Sequence, residues 1–136
     1  MRWLLHGNLT PAVAEALRRH EHTPVLPAEI DLPADAPPQL VVETAKAKQL
    51  DILTADAAIP QAVFDLDLYL FRSIVYLQLP GGDVEQDDAI DRLFKRYKRL
   101  TPDRLYTVTE SRVKVRQLPT KKKFSKGHEQ ATPEDE

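Results

Sequence analysis

Ser73-Ile74-Val75-Tyr76-Leu77-Gln78-Leu79, closed by Pro80-Gly81-Gly82, is the stretch whose reading decides the fold. Its β-branched and aromatic side chains, stopped by a Pro-Gly-Gly turn, predict a strand. Just beyond it, Ile90, Leu93, Phe94, Tyr97 and Leu100 recur at helical spacing, an apolar stripe that predicts a helix. Asp87, Asp88 and Asp91 stand toward the start of that helix and Arg96, Lys98 and Arg99 toward its end. This polarity complements the helix dipole, so it supports stability before it supports any function. A strand followed by an amphipathic helix is the repeating unit of a parallel α/β sheet.

Working toward the start, Arg2 to Leu5 suits a strand broken by His6-Gly7-Asn8. Thr10 is then expected to supply an N-cap oxygen, Pro11 the first helical position, and Val13, Ala16, Leu17 and His20 an inward face. Thr23 to Leu26 reads as a short strand, and Pro27, Pro33, Pro37 and Pro38 break up an acidic loop with Glu29, Asp31 and Asp35. Leu40, Val41, Thr44 and Ala47 share one face of a second helix. Ile52-Leu53 reads as a buried strand ending at Thr54-Ala55-Asp56, which puts Asp56 at a strand's carboxyl end, and a short helix interrupted by Pro60 follows.

Working toward the end, Leu105 to Val108 and Val113 to Leu118 predict a terminal hairpin, the second strand alternating apolar and basic residues over one wet face. After Pro119 all periodicity is lost. Thr120 to Glu136, with Lys121-Lys122-Lys123 and a Pro-Glu-Asp-Glu end, reads as a charged, flexible tail. The alternation of strands and helices predicts a doubly wound, mainly parallel sheet with right-handed crossovers. Ligands in such sheets bind at the carboxyl ends of the strands, beside the point where strand order reverses. That directs attention to His6-Gly7-Asn8 and to Thr54-Ala55-Asp56.

At 136 residues the chain suits one domain, and 42% hydrophobic with 29% charged residues is ordinary globular composition. With no cysteine, disulfides, zinc ribbons and thiol catalysis are excluded. The run Trp3-Leu4-Leu5 is too short for a signal-peptide core or a membrane span, so the expected location is the cytoplasm, with no membrane partner. A net charge of -2 conceals a polarity: 6 Lys/Arg against 15 Asp/Glu over residues 1–91, then 13 against 2 over residues 92–126. Such asymmetry marks a polyanion-binding surface or lets the two ends of the chain attract each other.

Arg96, Arg99, Arg112, Lys114, Arg116, Lys121, Lys122 and Lys123 are the candidate nucleic-acid ligands, able to track an RNA backbone by releasing counterions. An acidic protein partner or a second copy of the chain would suit the same cations. His20-Glu21-His22 closes a helix with no third ligand at suitable spacing. Pro80-Gly81-Gly82 lacks the lysine of a phosphate-binding loop. Ser73, Ser111 and Ser125 lack the context of a nucleophile elbow.

His6-Gly7-Asn8-Leu9 and Thr54-Ala55-Asp56-Ala57-Ala58, set in this order of elements, resemble the PIN-like domains of the Mut7-C and VapC-related kind. Many of these are ribonuclease toxins of toxin-antitoxin pairs. The family pattern opens with Asp-x-Asn-Leu, has a loop Asp before the second helix, and ends a strand with Thr-x-Asp-x-Asp. Here His6, Pro38 and Ala58 replace three of its acids and Asp56 alone remains. The resemblance implies a PIN-like three-layer fold over residues 1–119, and an antitoxin-like protein or RNA as partner.

It also implies Mg²⁺ or Mn²⁺ as cofactor if the member is active, since several carboxylates hold the metal that activates water. His6, Asp56 and Glu43 would then be the catalytic group, with Asp56 and Asp35 holding metal. Imidazole in place of a carboxylate turns the site away from Mg²⁺. Glu43 lies about 140° around its helix from Pro38, so it is no simple substitute. In the competing reading no metal is bound, and His6 and Asp56 hydrogen-bond each other or loop amides. The protein would then be a non-catalytic binding module using its basic hairpin and tail.

Overall fold

The structure, a computed structural model, describes residues 1–120. In chain order it contains β1 (Arg2–His6), α1 (Pro11–Arg19), β2 (Thr23–Val25), a 3-10 turn (Pro27–Ile30), α2 (Pro38–Lys48), β3 (Asp51–Thr54) and α3 (Ala58–Asp65), then β4 (Ile74–Leu77), α4 (Asp83–Arg96), β5 (Arg104–Val108) and β6 (Val113–Gln117). The proposed tail falls almost wholly outside the described residues, and Lys121, Lys122 and Lys123 lie there too. No described helix is long and apolar enough to cross a membrane.

One six-stranded sheet runs β2-β1-β3-β4-β5-β6, parallel throughout except for the antiparallel β5–β6 hairpin. The expected mainly parallel α/β sheet with a terminal hairpin is therefore present. Its first five strands follow the doubly wound order 2-1-3-4-5, which reverses between β1 and β3.

Strand pleating sorts the core into two layers. Trp3, Leu5, Leu53, Val75, Tyr106, Val108, Val113 and Val115 turn to one face, where α1 and α4 bury them with Val13, Leu17, Ile90 and Leu93. Leu4, Ile52, Ile74 and Leu105 turn to the other, under Val41, Val42 and Ala45 of α2 and Ile59 and Val63 of α3. Strands apolar on both faces are what helices on both sides of a parallel sheet require.

Several local expectations need correction. The Thr10 side chain makes no cap bond; its hydroxyl is buried and unpartnered, and its backbone N–H donates to Gln86 Oε1 at 2.9 Å. On α2 the inward residues are Val41, Val42 and Ala45, while Leu40 and Ala47 are exposed. The helix is rotated so that its β-branched pair meets the layer of Ile52, because packing, not spacing alone, selects which apolar residues face in. Pro38 opens this helix instead of lying in the preceding loop. Pro60 interrupts nothing: it sits buried in the first turn of α3, where no intrahelical N–H is needed. The final long helix stops at Arg96, and Tyr97 is extended at φ -119° and ψ 96°.

Candidate functional site

The loops after β1 and β3 stand side by side at the point of strand reversal, and a cleft of about 700 Å³ opens there. His6, Asn8, Thr10, Glu15, Arg18 and Asp56 supply its polar lining. Gly7 lets the two loops approach: its φ is +86°, and a Cβ there would stand 3.3 Å from Thr54 Oγ1 and 3.4 Å from Asp56 Cβ.

The polar groups at the floor are occupied with one another. Thr54 is fully buried; its hydroxyl oxygen accepts the Asp56 N–H at 2.9 Å and lies 3.0 Å from His6 Nδ1. The hydroxyl oxygen has two lone pairs, so it can hold the amide and share a hydrogen bond of either direction with Nδ1, according to the imidazole tautomer. Burial pushes the His6 pKa down, opposed by the charge of Asp56, so the ring is neutral at pH 7. Asp56 in turn accepts the Ala58 N–H on Oδ1 at 2.9 Å, closing an Asx turn at the entry to α3.

His6 and Asp56 are thus brought together, whereas Glu43 and Asp35 are not. Glu43 is exposed on α2, accepts from Gln39 Nε2 at 3.2 Å and does not line the cleft. Asp35 is exposed in the loop before α2, outside the lining, although Pro33 and Ala34 belong to it. The cleft's second carboxylate comes from Glu15 of α1. No three His, Asp or Glu side chains converge as metal ligands among the described residues. One exposed carboxylate already bonded to an amide, beside a neutral imidazole held by a hydroxyl, is a poor fit to Mg²⁺ or Mn²⁺.

Gln86 is the residue that sequence reasoning missed. It is buried on α4, accepts the Thr10 N–H and donates from Nε2 to the Asn8 carbonyl at 3.3 Å, so it fixes the loop that carries His6. A signal existed: Gln86 precedes Ile90 by one helical repeat, a polar residue on an apolar stripe. His22, in the loop between α1 and β2, accepts from Trp3 Nε1 at 3.2 Å and stacks on Phe94 with centroids 4.4 Å apart. Its pKa is pushed down to about 4, first by burial and then by neighbouring positive charge including His20. His20 pairs with Asp91 at 2.8 Å, drawing the Asp91 pKa down. A further buried carboxylate, Asp51, accepts the Ser73 N–H at 2.8 Å at the opposite, amino end of the strands, so it is structural.

The basic residues divide. Among the described residues, ion pairs join Arg19 to Asp87 and Asp91, His20 to Asp91, and Arg92 to Asp88. The acids at the start of α4 thus meet the end of α1, and the basic block after Arg92 forms no ion pair among the described residues. Arg96 and Arg99 are exposed at and beyond the end of α4, and Arg112 is exposed in the hairpin turn. Lys114 and Arg116 alternate with the buried Val113 and Val115 on β6, so they project from the face opposite α4.

Fold and cleft define a doubly wound α/β domain with an opening at its switch point. Compared with known proteins, the chain matches no family model, no curated protein and no solved structure.

Proposed function

We propose that this chain is a PIN-like domain related to the ribonuclease toxins, in which the cleft no longer carries metal-dependent chemistry and the protein acts by binding RNA. Support for the family comes from Asn8-Leu9 and Thr54-x-Asp56, which face each other across the switch point of a mainly parallel sheet that ends in a hairpin. The observation that carries the loss of catalysis is the fate of His6 and Asp56. Each is committed to a structural bond, His6 to Thr54 and Asp56 to the start of α3. A metal centre there would find only Asp56 and Glu15 as carboxylates in the lining and would need further oxygen ligands.

The test is incubation of labelled single-stranded RNA with Mg²⁺ or Mn²⁺, using wild type and Asp56→Asn. The expected result is intact RNA in both, and no heat of Mn²⁺ binding in calorimetry. Cleavage that requires the metal and vanishes in Asp56→Asn would overturn the proposal and restore the enzyme. An antitoxin-like partner would then be the regulator to seek.

A further inference from the structure

Six strands carry four helices, and the helical layer on one side is incomplete. The face of β4–β5–β6 that lies under α4 is closed by Val75, Tyr106 and Val115, and by Leu77, Val108 and Val113, all buried. On the opposite face α2 and α3 cover the sheet as far as β4, and beyond α3 a groove of about 600 Å³ lies open. Strand register sets its floor in two rows. Tyr76, Thr107 and Lys114 stand abreast across β4, β5 and β6, and Leu105 and Arg116 stand abreast in the next row. Gln61 and Phe64 of α3 and Gln78 beyond β4 complete the wall.

The chemistry of this groove is unusually open. Lys114 and Arg116 are exposed and make no ion pair among the described residues, although Asp65 lies on the same rim. The Arg116 guanidinium carbon lies 3.9 Å from the centroid of the Phe64 ring, a cation–π contact on the groove wall. Tyr76 is half-buried and offers a second aromatic surface. Residues two apart on a strand are about 6.8 Å apart, so the two cations match successive phosphates of an extended strand. Gln61, Gln78 and Thr107 add donors and acceptors of the kind that read a 2′-hydroxyl or a base edge.

We propose that this open sheet face binds single-stranded RNA, with Lys114 and Arg116 on successive phosphates and bases stacked against Tyr76 and the Arg116–Phe64 pair. An acidic peptide would satisfy the cations and the amides but would leave the aromatic surfaces unused, so RNA is the better match. Ala57 lines this groove and Asp56, its neighbour, lines the cleft, so bound RNA lies beside the switch-point loops. The inference deepens the RNA-binding half of the function proposed above, by naming the surface.

The experiment is fluorescence anisotropy on the full chain with a labelled unstructured oligoribonucleotide, over a series of salt concentrations. Lys114→Gln/Arg116→Gln is expected to weaken binding at least about tenfold and to make the log–log salt slope shallower by about 1.4, two contacts at 0.7 each. Tyr76→Leu, which keeps an apolar side chain over the core, is expected to weaken binding about fivefold with the slope unchanged, as lost stacking does. Arg96→Ala/Arg99→Ala should bind within about twofold of wild type, because those cations do not line the groove. The matching deoxyoligonucleotide should bind several-fold more weakly.

Wild-type binding that survives Lys114→Gln/Arg116→Gln, or that Arg96→Ala/Arg99→Ala removes, overturns this surface and leaves the RNA reading standing. An acidic peptide that binds as tightly as RNA, or DNA that binds equally, overturns the choice of ligand. Absence of any RNA binding by wild type overturns the surface and the RNA reading together. Circular dichroism and melting of each variant separate loss of binding from loss of fold.

Discussion

The cleft at the switch point and the open groove beside α3 are comparable in size, yet they differ in what their polar groups are doing. In the cleft His6, Thr54, Asp56 and Ala58 form one chain of bonds, and Gln86 ties the loop above it. In the groove Lys114 and Arg116 have no ion-pair partner among the described residues, and Arg116 is held only against an aromatic ring. Groups already satisfied within the fold stabilise it, and binding through them means giving up that stability. Groups left open to solvent can take a ligand at little cost to the fold. The lesson is that the polar groups at the switch point hold the loops together, and those at the hairpin are available.

This contrast predicts that substitutions in the cleft change stability and substitutions in the groove change binding. The largest stability effect should come from Gln86→Leu, which leaves the part-buried Thr10 N–H and Asn8 carbonyl without their partner. A loss of about 2–3 kcal/mol is expected in denaturant titrations, and an unchanged midpoint would show that the loop holds itself. Thr54→Val should cost about 1–2 kcal/mol, since it strips both the Asp56 amide and His6 of a partner while keeping shape. If its melting temperature equals that of wild type, the bond chain is not structural.

Gly7→Ala should cost about 1 kcal/mol, from a positive φ and from crowding against Thr54. Acidification comes next. His6 and His22 both have pKa values below their usual range in the folded state, to about 4 for His22. The unfolded chain therefore binds more protons as pH falls below about 6.5, so stability is complete above that value and declines toward pH 4. The His22 share is on the order of 1 kcal/mol after allowing for its solvated edge. His22→Gln should flatten the decline in melting temperature, and an identical pH profile would remove His22 as its source. The smallest effect is expected for Lys114→Gln/Arg116→Gln, within about 0.5 kcal/mol of wild type in stability, despite the loss of RNA binding.

Much of the fold was legible because its signals are local. Pro11 at the start of α1, the apolar stripe from Ile90 to Phe94, the Pro80-Gly81-Gly82 stop and the alternation from Val113 to Gln117 each depend on neighbours within a turn or a strand. The candidate site was legible only in part. His6 and Asp56 could be placed at carboxyl ends of strands, but their partners could not. Thr54 is next to Asp56 but one in sequence and 48 residues from His6, and Gln86 acts on Thr10 from 76 residues away. Such bonds leave no periodic mark. The same limit explains the α2 face: Leu40 and Val42 both fit a helical stripe, and only the layer beneath chose Val42.

By itself, then, the sequence determined the order of elements, the mainly parallel sheet, the terminal hairpin and the placing of His6 and Asp56 at the carboxyl ends of strands. The tertiary structure alone decided the strand order that places β1 beside β3, the commitment of His6 and Asp56 to structural bonds, and the division of the basic residues between two faces. The physical reason is range. Propensity and amphipathic spacing act over a few residues, whereas strand order, burial and charge placement are set by contacts between segments that the chain brings together only when it folds.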